Sequence, residues 1–324
     1  MNRRDLVILF AGAALSGAGR AVEARQAGPA RIGVLAQDLQ PGLLESFRDG
    51  LRELGYVDGQ NISIEVRNAE GKSPRLPELA ADLLRLEVAA ILAVNTPAAK
   101  AAKKATTTVP IIIMRVADPI KAGLIASLSH PGGNVTGLSF MPDVLAAKAL
   151  EMLRDTLPTV TRIAALYRGD NPGAVLSIDE TERRSAQLGM QFLRLPIGDP
   201  GEIAGAFDKI KGARSEAILV MDDGAITSRR REILDLANRQ SLPVVSNYRD
   251  FATAGGLFAS GPNLPALYRR GAYFVDHILK GAAPADLPVE QPTKFDLIVN
   301  LKTAEALGIT IPRVVLGRAD EVIE

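Results

Sequence analysis

The sequence predicts an α/β protein with two Rossmann-like lobes, each built on a parallel central sheet. Short apolar runs of strand length alternate with amphipathic helical stretches along most of the chain. That alternation is typical of right-handed βαβ units. The pattern begins again after residue 138, which gives two consecutive units of about the same size. A chain of 324 residues is long enough for two such domains.

The first unit carries five predicted strands. The run 88–94 is apolar with β-branched ends, and it is too short for a helix. Thr96 then offers an N-cap and Pro97 a first helical residue, before a stretch rich in alanine and lysine. The predicted strands are 31–36, 61–66, 88–94, 110–114 and 134–138. The predicted helices are 41–54, 77–86, one that begins at Pro97, and 122–128.

The second unit and the tail continue the alternation less regularly. The predicted helices are 143–157, 173–188, 202–211, 228–240, 264–279 and 301–307. The predicted strands are 162–167, 191–195, 216–220, 243–245, 256–259 and 295–299. We expect the first lobe to comprise residues 30–138 and 256–291, and the second 139–255 and 292–324. The lobes are then joined by a three-strand hinge with crossings near Leu138, Gly255 and Pro292.

Composition excludes several classes of function. The chain has no cysteine, so disulfides, zinc–thiolate sites and thiol nucleophiles are excluded. Its two histidines, His130 and His277, lie far apart, so we expect no metal. The net charge of +1, without a basic stripe, argues against nucleic acid. Because no dinucleotide, phosphate-loop or serine-hydrolase motif occurs, we expect no cofactor and no enzyme.

Residues 1–24 have the pattern of a signal peptide. Arg3 and Arg4 precede the apolar run 6–15, and Val22-Glu23-Ala24 offers a small-x-small cleavage site. The adjacent arginines leave both general secretion and the twin-arginine route open. Without a cysteine for a lipid anchor, we expect an exported, soluble protein of the periplasm.

Two facing parallel sheets form a cleft lined by two sets of strand ends. Ligands of open α/β sheets bind outside the carboxyl ends of strands, and such lobes close around a ligand by a hinge motion. The helix that begins near Thr96 directs free backbone N–H groups towards this cleft, which suits a carboxylate or phosphate. An ordinary capped turn without a ligand explains the same residues.

Five segments resemble ABC-transporter substrate-binding proteins of the group that contains tryptophan-binding components. They are residues 54–65, 95–111, 118–139, 254–262 and 278–312, including a PGGN-x-TG motif and a proline-rich tail. The resemblance implies a type I periplasmic binding fold. It also implies capture of a small solute, an amino acid or a related carboxylate, for delivery to a membrane permease. We expect a monomer.

The same resemblance places the candidate ligand-binding residues at the strand ends. Thr96 and the N–H of Ala98 would hold a carboxylate, and Asp222 would hold an ammonium group. Asp223 is expected to be a cap or a surface residue, and Arg168, where the family pattern differs, is better explained as solvated than as ligand-pairing. The full set is Gln37, Asp38, Asn95, Thr96, Ala98, Asp118, Ser139, Asn171, Asp222, Asn247 and Tyr248.

Three alternatives to solute transport remain at this point. A periplasmic sensor that docks on a membrane receptor would use the same closed lobes, and the sequence does not separate it from a transport protein. The sequence lacks the motifs that would support the second alternative, an α/β enzyme. A sugar-binding transcription regulator would need an N-terminal helix-turn-helix, where this chain has the signal-like segment.

Overall fold

Two β-sheets, each flanked by helices, organise the chain. The computed structural model describes residues 28–140, 142–199, 201–221, 223–293 and 295–324. The predicted signal peptide and the candidate residue Asp222 therefore lie outside the described residues. Within those ranges, no helix combines the length and the apolar character that a membrane span requires.

Strands and helices alternate along the whole described chain. The strands are β1 (Ala30–Ala36), β2 (Ile62–Asn68), β3 (Ala90–Val94), β4 (Ile111–Val116), β5 (Val135–Ser139), β6 (Arg162–Arg168), β7 (Gln191–Ile197), β8 (Ala217–Val220), β9 (Val244–Ser246), β10 (Phe258–Pro262), β11 (Phe295–Asn300) and β12 (Glu321–Ile323). The helices are α1 (Pro41–Glu53), α2 (Leu76–Arg85), α3 (Thr96–Ala105), α4 (Pro142–Thr156), α5 (Pro172–Gln187), α6 (Glu202–Gly212), α7 (Gly224–Ser228), α8 (Arg230–Arg239), α9 (Arg249–Thr253), α10 (Leu264–Leu279), α11 (Leu301–Ala306) and α12 (Arg313–Leu316).

The first lobe is a five-stranded parallel sheet in the order β2-β1-β3-β4-β5. Its strands β3 and β4 are buried along their whole length, because helices cover both faces; such strands are continuous apolar runs. One face packs against α1 and α10 through Phe47, Leu51, Phe274 and their neighbours. The other face packs against α2 and α3.

The second lobe is a seven-stranded sheet in the order β12-β11-β10-β9-β8-β6-β7. All neighbouring strands are parallel except β10 and β11. Together the two sheets confirm the predicted α/β class with two parallel-sheet lobes.

The predicted lobe assignment of residues 256–262 is wrong. The sequence pattern assigns them to the first lobe, but β10 pairs with β9 and with β11 of the second sheet. The second crossing therefore lies at Asn263, between β10 and α10, and not near Gly255. Local sequence marks these residues as a buried strand, whereas the choice of sheet depends on distant partners.

The three crossings are hydrogen-bonded to one another. The first follows Ser139 and the third lies between Glu290 and Phe295. The backbone N–H of Ser139 donates to the carbonyl of Glu290 at 2.9 Å. At the second crossing, the Asn263 amide donates to Asp296 at 3.0 Å. The hinge is thus one connected structure.

The predicted helix at 122–128 does not form in this described segment, and a series of turns replaces it. Gly123 takes a φ of 73°, a left-handed conformation that ends a right-handed helix. The N–H of Leu124 bonds to the carbonyl of Pro119 instead.

Candidate functional site

The carboxyl ends of the two sheets face each other and are in contact. Gly173, at the start of α5, packs so closely on α3 that a Cβ there would lie 2.4 Å from the Thr96 hydroxyl oxygen. A Cβ at Gly224 would lie 3.1 Å from the Cβ of Asp38. Both contacts join one lobe to the other, so the molecule is in a closed conformation.

Between α3 and α5 lies a small enclosed space, which we call the central cavity. Its lining residues are Asn95, Thr96, Arg115, Ala117, Phe140, Asn171, Gly173, Ala174, Ser177 and Met221. Its volume is about 20 Å³, roughly the space that one water molecule needs. A solute therefore enters only when the lobes separate.

The turn before α3 is strained and polar. Asn95 has a φ of 74°, which is uncommon for a residue other than glycine. Its buried side-chain nitrogen has no hydrogen-bond partner among the described residues. Thr96 is the first helical residue and not the N-cap as predicted, and its hydroxyl accepts the N–H of Ala117 at 3.4 Å. Ala98 is buried in the first helical turn.

A buried cation, Arg115, was missed from the sequence. Only 4% of the residue is exposed, and its φ of 58° turns the end of β4 out of the regular strand. The guanidinium carbon lies 4.9 Å from the ring centroid of Tyr248 and 5.6 Å from that of Phe140, within cation–π range. The sequence did contain one indication of this residue, because Arg115 is the single charged residue within the apolar run IIIMRV.

The prediction that Arg168 is solvated is wrong. The residue is 6% exposed and forms an ion pair with Asp170. Its Nη2 donates to the carbonyl of Gly71 in the first lobe at 2.7 Å, and the Ser73 hydroxyl donates to Asp170 at 3.1 Å. Arg168 is the last residue of β6, and the end of this strand points at the opposite lobe. Arg168 therefore joins the lobes at the mouth of the cleft.

Two carboxylates face each other across the closed cleft. Asp223 is the N-cap of α7 and accepts the N–H of Ala225; a cap was one of the two roles expected for it from the sequence. It is buried rather than on the surface and also accepts the Asn171 amide at 3.0 Å. Burial raises the pKa of Asp223. Burial, and next the charge of Asp223, raise the pKa of Asp38.

The remaining candidates lie around this centre. Asp118 accepts the N–H groups of Ile120 and Lys121 and pairs with the Lys121 side chain; it forms a local turn outside the cavity lining. Ser139 bonds to the hinge carbonyl of Glu290. Gln37 donates to Ser73. Asn247 and Tyr248 line a second, larger cavity beside the hinge.

No cluster of three or more histidine or acidic side chains suited to a metal ion occurs among the described residues. The described cleft holds hydrogen-bonding groups and charges of both signs on two lobes that close on each other. This arrangement defines a solute-binding protein of the two-lobed type.

The comparisons place the chain in one family. Residues 35–323 match the family described as ABC transporter substrate binding protein, so the chain belongs to that family, whose members are binding proteins and not enzymes. The resemblance seen in the sequence is thereby confirmed. Solved solute-binding proteins at 13% and 15% identity share the fold.

Three relatives are similar over most of their length. A tyrosine-binding protein of Clostridioides difficile (strain R20291) is 28% identical over 266 residues, which are 82% of this chain and 76% of the relative. An ABC domain from Streptococcus pneumonia in complex with L-Trp is 29% identical, with a TM-score of 0.83 over 90% of this chain and 100% of the other. A ligand-free, open substrate-binding protein from Clostridium difficile is 27% identical, with a TM-score of 0.65 over 91% and 99%.

The last two structures are almost equally identical to this chain in sequence, and one is a complex with L-Trp whereas the other is ligand-free and open. The described fold superposes better on the ligand complex than on the open, ligand-free protein. This agrees with the inter-lobe contacts at Gly173 and Gly224, which indicate closed lobes.

Proposed function

We propose that this protein is exported to the periplasm, captures an amino acid in the cleft between its lobes, and delivers it to the permease of an ABC importer. The convergence of a buried cation, a helix N-terminus and buried carboxylates on one closed cleft carries the proposal. Relatives that bind tyrosine and tryptophan favour an aromatic amino acid.

The carboxylate of such a ligand fits the first lobe. The N-terminal turn of α3 offers backbone N–H groups and the positive end of the helix dipole. Arg115 lines the same cavity, and a guanidinium forms strong charge-assisted bonds with a carboxylate. The Asn95 amide, unpaired within the described chain, is a further donor.

The ammonium group fits the acidic end of β8 in the second lobe. We propose Asp222 as its partner, next to the buried Asp223. Asp38 faces this region from the first lobe, since its Cβ lies close to Gly224. A ligand with both charges would thus interact with both lobes.

Closure follows from that bridging. A ligand shifts the open–closed balance only by its different affinity for the two states. Micromolar affinity requires about −8 kcal/mol, whereas a helix N-terminus contributes about 1–2 kcal/mol to a partly buried carboxylate. Most of the affinity must therefore come from burial of the side chain and from paired hydrogen bonds.

Export is proposed from the signal pattern of residues 1–24. A fusion of these residues to a reporter should carry it out of the cytoplasm, and the exported protein should begin near Arg25. An intact Met1–Ala24 segment on the periplasmic protein contradicts this part of the proposal.

The binding role is tested by calorimetry on the chain from Arg25. L-tyrosine and L-tryptophan are compared with the corresponding deaminated acids. Asp222→Ala should weaken amino acids by about 2–5 kcal/mol, typical of a buried charge pair, and weaken the acids much less. Asp82→Ala, which removes a carboxylate paired with Arg85 on α2, is the matched control and should change neither. Equal losses for both ligand types identify an organic acid as the ligand.

A further inference from the structure

A second cavity lies beside the hinge and is lined by Tyr248, whose ring contacts Arg115 of the central cavity. Its volume is about 200 Å³, ten times the 20 Å³ of the central cavity, and is sufficient for an aromatic side chain. We call it the hinge pocket. Its walls include Gln40, Leu43 and Leu264 from the first lobe and Asn247, Pro262 and Ile298 from the second.

Asn247 is the unusual residue of this pocket. It is 3% exposed, and neither its amide nitrogen nor its amide oxygen has a hydrogen-bond partner in the described part of the chain. Buried polar groups are almost always paired, and an unpaired one destabilises the protein. The pocket combines the apolar side chains of Leu43, Leu264 and Ile298 with the charged residues Arg249, Asp250 and Asp296, and none of these charged groups pairs with the Asn247 amide.

The hinge pocket and the central cavity are one strand apart. Val220 of β8 pairs with Ser246 of β9; Met221 follows β8 into the central cavity, and Asn247 follows β9 into the hinge pocket. Neighbouring strands lie about 4.8 Å apart, so one amino acid is long enough to reach from one cavity to the other.

One residue from each cavity lies against a residue from the other. Arg115 of the first lobe lines the central cavity and Tyr248 of the second lobe lines the hinge pocket, and the Arg115 guanidinium carbon lies 4.9 Å from the ring centroid of Tyr248. Separation of the lobes would part this pair and let a bound amino acid place its charged end at α3 and its side chain towards Asn247.

We infer that Asn247 selects amino acids whose side chain ends in a hydrogen-bonding group, such as the hydroxyl of a phenol or the N–H of an indole. The inference rests on the proposed function. A ligand that carries this group pairs the buried amide, whereas an isosteric apolar ligand leaves the amide unpaired. Sites built to bond a polar ligand group reject the analogue that lacks it much more strongly than apolar pockets reject an extra methylene group.

The experiment compares L-tyrosine with 4-methyl-L-phenylalanine, which has the same shape but no hydroxyl. Calorimetry on the wild-type protein should show about 10- to 100-fold tighter binding of tyrosine, the range expected for one buried amide pairing. In Asn247→Leu, which removes both amide atoms at similar size, the two affinities should lie within about threefold or reverse. Leu43→Val, on the apolar wall, is the control and should weaken both ligands equally.

The outcomes separate the two proposals. Equal wild-type affinities for the two ligands overturn the role of Asn247 and leave amino-acid binding intact. That role is also overturned if Asn247→Leu keeps the wild-type preference. If Asn247→Leu does not fold, the wild-type ligand pair alone decides. Absence of binding by every amino acid overturns the proposed function, and the inference with it.

Discussion

Gly173 lies where the closed lobes approach each other tightly. A Cβ there would lie 2.4 Å from the Thr96 hydroxyl oxygen and 3.0 Å from the Cβ of Ala117. Its φ is not positive, so the residue is required for space and not for backbone freedom. The start of α5 can reach α3 only because the side chain is absent.

Gly173→Ala should therefore hold the lobes apart. We expect at least a tenfold loss of ligand affinity by calorimetry, while the melting temperature without ligand changes little, since the open state removes the clash. Gly205→Ala on α6 is the matched control, because nothing lies within 4 Å of a Cβ there. In that helix alanine should stabilise the protein by up to about 1 kcal/mol, with unchanged affinity. An unaltered affinity in Gly173→Ala contradicts the closed geometry.

Asp223 makes stability depend on pH. Its pKa is raised from the ordinary 3.8 by burial, so between 3.8 and the raised value the folded chain holds a proton that the unfolded chain has lost. Stability is then lost as pH rises through this window. Asp223→Asn keeps an N-cap residue and removes the charge. The melting temperature of the variant minus that of the wild type should increase from pH 4 to pH 7.

A difference for Asp223→Asn that does not change between pH 4 and pH 7 would mean that the buried carboxyl does not titrate in this range.

At the scale of residues, the sequence located strand ends but not their partners. Thr96 and Asn171 were predicted for the site from the family resemblance, which places the candidates at strand ends, and both line the central cavity. Arg168 was misjudged because its burial comes from Gly71 of the opposite lobe, almost a hundred residues away. The solvated interpretation considered only its neighbours in sequence.

At the scale of elements, α10 shows how one polar cap secures a lobe crossing. Asn263 accepts the N–H of Ala266 through its side-chain oxygen and donates to Asp296 through its nitrogen. The first contact caps the exposed start of the helix, and the second ties the helix to β11 in the other lobe.

Asn263→Ala should lower the free energy of unfolding by about 1 kcal/mol, the usual contribution of an N-cap, as measured by urea denaturation. Asn263→Asp should retain most of the cap but place a second carboxylate near Asp296, so its stability should improve with added salt. If alanine costs nothing, the cap is not formed in solution.

Elements with a strong local signal were predicted well. The buried strands β3 and β4 are apolar runs in sequence, and helix α3 begins one residue before Pro97. Pairing between distant strands has no such signal, which is why β10 was assigned to the wrong sheet. The turns at 122–128 were missed because apolar neighbours outweighed Gly123, whose left-handed conformation decides the local structure.

At the scale of the whole molecule, contacts between the lobes set the balance between open and closed states. Arg168 contributes to this balance without touching the central cavity lining, through Asp170 on its own lobe and Gly71 on the other. Losing this bridge should raise the free energy of the closed state by about 1.5–3 kcal/mol, the usual range for a hydrogen bond to a charged group.

Arg168→Gln should therefore raise the dissociation constant by about 10- to 150-fold and increase the radius of gyration of the ligand-free protein in X-ray scattering. Arg194→Gln is the control, since Arg194 pairs with Asp179 and Glu182 within one lobe; its affinity should match the wild type. Wild-type affinity in Arg168→Gln would show that the bridge does not bias closure.

The hydrogen bonds that join the three crossings have a mechanical consequence. The hinge contains two such bonds, from Ser139 to Glu290 and from Asn263 to Asp296. Because they link the three crossing segments, the lobes resist sliding and twisting relative to each other. The lobes can then move easily in essentially one way, by rotating about the line of these bonds. A single pair of spectroscopic labels, one on each lobe, should consequently track the entire trajectory of the molecule.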